Sequence, residues 1–116
     1  MIGIISDTHD NVTNVKKAVE IFKKEKVDFV VHCGDVVAPP TLLFFEGLKV
    51  YLCKGNCDGE INGLRAKTAE IGGQFFEKLG DIEHDDKKIA FTHGNDETLL
   101  RELIESQQYD YVFYGH

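Results

Sequence analysis

Short, nearly unbroken apolar runs alternate with stretches of helical periodicity along this chain, and that alternation leaves few folds open. Ile2–Ser6 reads as a strand covered on both faces. Val12, Val15, Ala18, Val19 and Phe22 then recur at helical spacing, opposed by Lys16, Lys17, Glu20, Lys23 and Lys24, with Asn11 or Thr13 as the cap. Phe29–His32 is a second strand. After Pro39-Pro40 a short helix is expected over Thr41–Glu46, closed by Gly47. Lys49–Cys53 is a third strand, and a helical turn is expected around Leu64–Ala69. The period then changes: Lys78–Glu83 and Lys88–Thr92 flank an acidic turn and read as a hairpin. Glu97–Ser106 is an amphipathic helix, and Tyr109–Tyr114 is the last strand. The order βαβαβ, hairpin, helix, strand implies an α/β domain with right-handed crossovers.

At 116 residues the chain suits one domain, residues 1–116, with a single core. Its 42% hydrophobic and 28% charged content is ordinary for a globular protein. A formal charge of -7, from 13 basic and 20 acidic side chains, disfavours binding of nucleic acid through its phosphates, except as a substrate. Bound divalent ions would offset part of that excess. Cys33, Cys53 and Cys57 are an odd number in a chain with no need of stapling, and read as reduced thiols. No second Cys or Cys/His pair completes a zinc-finger pattern around Cys53 and Cys57. With no basic leader and no apolar run near 18 residues, the expected location is cytoplasmic, away from membranes.

Open α/β sheets place their sites at the carboxyl ends of strands. Here each of five strand ends delivers a possible metal ligand: Asp7 and His9, Asp35, Asn56 and Asp58, His93, and His116. Glycine adjoins four of these clusters, in Gly34-Asp35, Gly55-Asn56, His93-Gly94 and Gly115-His116, where the backbone must turn sharply off a strand. Asp and Asn alone would be common turn residues. Two histidines beside glycines at strand ends are not explained that way. Mixed carboxylate, carboxamide and imidazole donors suit Mn²⁺, Fe²⁺, Ni²⁺ or Zn²⁺.

Asp7-Thr8-His9, Gly34-Asp35, Gly55-Asn56-Cys57-Asp58, Thr92-His93-Gly94 and Gly115-His116, in that order, resemble the calcineurin-like metallophosphoesterases, and most of all their small YfcE-type phosphodiesterase branch. The resemblance implies an α/β sandwich and a hydrolase that uses two divalent metal ions, Mn²⁺ foremost, to cleave a small phosphoester. Asp7 and His9 would bind the first ion, Asp35 would bridge, and Asn56, His93 and His116 would bind the second. Asp35, Asn56 and His93 would be the catalytic residues, with a bridging hydroxide as nucleophile.

Two departures bear on this expectation. The family's last motif reads Gly-His-x-His, whereas this chain ends at His116, which suggests a sandwich truncated at its carboxyl end. The strands that usually complete the second sheet would be absent, leaving a sheet face open and a homo-oligomer possible. Cys57 also stands where many members carry a histidine that protonates the leaving group, so activated esters should be the better substrates. The competing reading is a non-catalytic binding or scaffold module of the same fold. Elsewhere, His32 reads as a core or supporting imidazole and His84 as a solvated turn residue.

Overall fold

The computed structural model describes residues 1–9, 11–37 and 39–115. The elements are β1 (Ile2–Ile5), α1 (Val12–Lys24), β2 (Phe29–His32), a 3₁₀ helix (Pro39–Phe45), β3 (Val50–Cys53), α2 (Ile61–Glu70), β4 (Gln74–Phe76), β5 (Gly80–His84), β6 (Lys87–Thr92), α3 (Glu97–Ser106) and β7 (Tyr111–Tyr114). They form two sheets. The first is parallel, in the order β1-β2-β3-β4, and the second runs β5-β6-β7 with β5 antiparallel and β7 parallel to β6.

Sequence pattern accounts for most of these elements. Asn11 caps α1 by accepting from the Asn14 amide at 3.2 Å, and Lys23 and Lys24 face the negative end of its dipole. Asp96 caps α3 in the same way, from Leu99 at 3.0 Å. Asp85 and Asp86 both adopt positive φ, 50° and 64°, the geometry of a tight two-residue hairpin turn. Three features differ from the expectation. Helix α2 spans ten residues rather than the expected turn, because its weak amphipathicity and internal Gly63 mute the helical signal. Strand β4 has three residues, too few to show a period. The segment after Pro39-Pro40 is 3₁₀ and begins at Pro39.

The larger correction concerns the layers. The hairpin and last strand do not extend the first sheet; they build a second sheet that covers its far face. Phe29, Val31, Cys33, Cys53, Ile89 and Phe91 are buried between the sheets. Val15, Val19, Val30, Leu42, Phe45, Val50, Leu52 and Leu64 form the core between the first sheet and the helices. Strand β2 therefore serves both layers, and all four of its residues are buried, as expected for a central parallel strand. The expected open face shrinks to a seam between the edge strands β1 and β7, where Met1, Ile4 and Tyr111 are exposed. His84 is not a solvated turn residue either: its ring packs edge-on to Phe29 at 4.9 Å between centroids.

Candidate metal centre

The carboxyl ends of β1, β2, β3 and β6 converge, and they bring Asp7, His9, Asp35 and His93 together. His9 Nε2 lies 3.2 Å from Asp35 Oδ2 and 3.7 Å from Asp7 Oδ1. His93 Nε2 lies 3.3 Å from the same Asp35 oxygen and 3.8 Å from Asp7 Oδ1. Ligand atoms of Asp7, Asp35 and His93 fall within 4.8 Å of one another, as do those of His9, Asp35 and Cys57. Asp35 belongs to both groups. Asn56 sits exposed on the turn after β3, beside Cys57. His116 lies outside the described residues. Gly115, the residue before it, donates to the His93 carbonyl at 3.0 Å, and a Cβ there would collide with the side chain of Ser6.

The loops that hold these side chains are conformationally costly. Asp7, His9, Asp35 and Val37 have φ of 54°, 44°, 64° and 75°, a region that L-residues rarely adopt and β-branched ones hardly at all. Hydrogen bonds keep them there. Asp7 and His9 donate their amides to the carbonyls of Gly34 and Asp35, both at 2.9 Å. The loops after β2 and β3 also touch so closely that a Cβ on Gly34 would stand 2.6 Å from the Gly55 nitrogen. A Cβ on Gly55 would in turn strike Asp35.

Sequence reasoning offered Asp58 only as a possible metal ligand, and the structure gives it a supporting role. Its buried carboxylate accepts from the amides of Asp35 at 2.8 Å, Val37 at 2.7 Å and Gly55 at 2.9 Å. It thus pins the two left-handed residues of one loop to the start of the next. Its adjacency to Asn56-Cys57 was the available signal, but which amides it would meet depends on the register of two non-local loops. Asp35 is fixed reciprocally: Oδ1 accepts from the Cys57 amide at 2.8 Å, while Oδ2 faces the histidines.

His93 is oriented by the Cys33 carbonyl, 2.8 Å from Nδ1. A carbonyl only accepts, so Nδ1 carries a proton. Nε2 then faces Asp35 Oδ2, where a proton on the ring or a bound cation can balance the carboxylate charge. The donor set therefore fits a divalent ion: carboxylate oxygens, and an imidazole whose far nitrogen is already tied down.

His32 behaves as the expected supporting imidazole. Fully buried, it accepts from the Gly34 amide at 3.0 Å and leaves Nε2 to donate to the Thr8 hydroxyl at 3.2 Å. Burial pushes its pKa down to about 4. Because the folded value lies below the unfolded one, near 6.5, the unfolded chain takes up the extra proton as pH falls. Stability is expected to decline between about pH 6.5 and 4 by about 3 kcal/mol from this group, and to level off below that window. Urea unfolding across that range should show the slope, and His32→Asn, which keeps an acceptor near Gly34, should flatten it.

The three thiols are free. Burial raises Cys33 to about 12 and Cys53 to about 11, so neither is a nucleophile near neutrality. Cys57 is exposed, yet partial desolvation and then the Asp35 carboxylate raise it too, which keeps it a protonated thiol. Among the described residues no helix is long and apolar enough to cross a membrane.

Comparison with known proteins agrees with this geometry. Residues 1–116 match the description of a calcineurin-like phosphoesterase superfamily domain. Phosphodiesterase MJ0936 of Methanocaldococcus jannaschii is 41% identical over 99% of this chain and 71% of its own length. The solved structure of a novel archaeal phosphodiesterase superposes with a TM-score of 0.94 at 40% identity, covering 99% of this chain and 72% of that one. The phosphoesterase YfcE from E. coli shares the fold, with a TM-score of 0.63 at 16% identity over 81% of this chain and 57% of its own. A match along the whole chain, on an α/β scaffold whose strand ends gather these carboxylates and imidazoles, means that the chain belongs to the calcineurin-like phosphoesterase superfamily, an enzyme family.

Proposed function

We propose that this chain is a phosphodiesterase that works with two divalent cations, Mn²⁺ first among the candidates. Asp7 and His9 would hold one ion, Asp35 would be a ligand common to both, and Asn56, His93 and His116 would hold the other. The observation that carries the reading is the His93–Asp35 contact, an imidazole nitrogen set 3.3 Å from a carboxylate oxygen. Its relatives' printed activities supply the choice of a diester.

Ions at such a site lend Lewis acidity to a phosphoryl oxygen and acidify water. The chain's own part is preorganisation. The Cys57 amide holds Asp35 Oδ1 so that Oδ2 points inward. The Cys33 carbonyl fixes the His93 ring, and Asp58 holds both loops. No costly rearrangement is then left for the moment of reaction. Cys57, a protonated but weakly acidic thiol, serves poorly as a proton donor to the leaving group, so esters with acidic alcohols are the favoured substrates.

The test is hydrolysis of bis-p-nitrophenyl phosphate by the chain freed of metal with EDTA and then titrated with Mn²⁺, Ni²⁺, Zn²⁺ or Mg²⁺. Turnover is expected to vanish on chelation and return with Mn²⁺. Mn²⁺ binding without turnover would overturn the enzyme reading for these 116 residues and favour a binding module.

A further inference from the structure

Beside the metal-centre residues lies a second concavity of about 200 Å³, lined by Lys54, Gly55, Glu77, Lys78, Thr92 and Asn95, with the start of α3 at its rim. Gly55 abuts Asp35 and Thr92 precedes His93, so the hollow borders the site where the two sheets meet. Its floor is rigid. The Lys78 carbonyl accepts from the Thr92 hydroxyl at 2.9 Å and from the Cys53 thiol at 3.3 Å, which locks the crossover between the sheets in place. Charge distinguishes it further. Glu77 is engaged by Arg65 at 2.7 Å, and Asp96, which caps α3, leaves the lining with a surplus of positive charge. Lys54 and Lys78 have no ion-pair partner among the described residues. Two uncommitted cations in a chain of net charge -7, placed next to a site that takes a phosphoester, are arranged to meet a second anion.

We infer that Lys54 and Lys78 line a specificity subsite for a second phosphate carried by the substrate, next to the scissile one. The inference rests on the phosphoesterase reading and names the class of substrate: phosphodiesters bearing a further phosphate on one of their alcohols. Ammonium groups suit this task, as mobile point charges that accept a phosphate in several orientations.

The test uses the Mn²⁺-loaded chain and two ligands that cannot be hydrolysed, propylphosphonate and propane-1,3-diyl bisphosphonate, titrated by calorimetry. The wild type is expected to bind the bisphosphonate about tenfold more tightly, equivalent to about 1.4 kcal/mol. The double variant Lys54→Ala/Lys78→Ala should lose that preference while keeping its affinity for propylphosphonate and its turnover of bis-p-nitrophenyl phosphate. Lys24→Ala/Lys87→Ala removes the same charge at the far ends of α1 and β6, and should keep the preference. Three results would overturn the subsite: no preference in the wild type, a preference that survives in Lys54→Ala/Lys78→Ala, or an equal loss in the remote variant. Failure of bis-p-nitrophenyl phosphate turnover with the preference intact would strike the catalytic reading and leave the anion subsite standing.

Discussion

Asp35→Asn is expected to lower Mn²⁺-dependent hydrolysis of bis-p-nitrophenyl phosphate by about a thousandfold or more, while leaving the protein folded. Asparagine keeps an oxygen to accept from the Cys57 amide, so the loop retains its anchor. What disappears is the charge on the atom that faces both His9 and His93, at 3.2 and 3.3 Å. Removing one carboxylate from a cluster that also holds Asp7 relieves like-charge repulsion in the metal-free protein. The metal-free variant should therefore melt near the wild-type temperature. Mn²⁺ at a hundred times its Kd stabilises a binding-competent fold by about 2.7 kcal/mol, and the variant should lose most of that gain. Melting curves with and without Mn²⁺, run beside the kinetics, separate the two effects. A loss of turnover below tenfold would remove Asp35 from the reaction centre.

Asp58→Ala acts by another route. Three amides, of Asp35, Val37 and Gly55, would lose a charged acceptor inside a buried loop junction. Bonds of this kind are worth about 1.5–3 kcal/mol each, and relaxation and entering water recover part of the loss. A net destabilisation of about 3–5 kcal/mol is expected, a large share of the 5–15 kcal/mol available to a domain. The midpoint of urea unfolding should fall accordingly. Val37 would no longer be held at positive φ, and Asp35 would drift from its inward pose, so the surviving folded fraction should also turn over slowly. Asp58→Asn should be intermediate, because one oxygen is replaced by a donor that faces an amide. A destabilisation under 1 kcal/mol would show that the loops hold without this brace.

Much of this molecule was legible in its sequence because periodicity and position carry the information. Strand β2 announced itself as a continuous apolar run, and α1 and α3 as amphipathic helices, the first with a side-chain cap. Asp7, His9, Asp35 and His93 were found because each follows a strand, and strand ends share an edge. What was not legible is non-local. Nothing in Lys88–Thr92 says whether that strand extends the first sheet or starts a second, since Ile89 and Phe91 would be buried in either arrangement. The role of Asp58 depends on two loops meeting at Gly34 and Gly55, and the contact of His84 with Phe29 depends on how the sheets stack.

The division of the donors between two sheets has a consequence for the protein's lifetime. Asp7 and Asp35 end strands of the first sheet, and His93 ends a strand of the second. On the two-ion reading, a molecule whose sheets have parted keeps part of the donor set and loses the rest. The ion served by His93 would then bind only the docked form, and the parted population would fall about tenfold for each tenfold rise in free ion above that site's Kd. Degradation that begins from that parted form would slow in step. Ion supply would thus govern how long each copy lasts as well as how fast it works, and a cell starved of the ion would lose the polypeptide along with its activity.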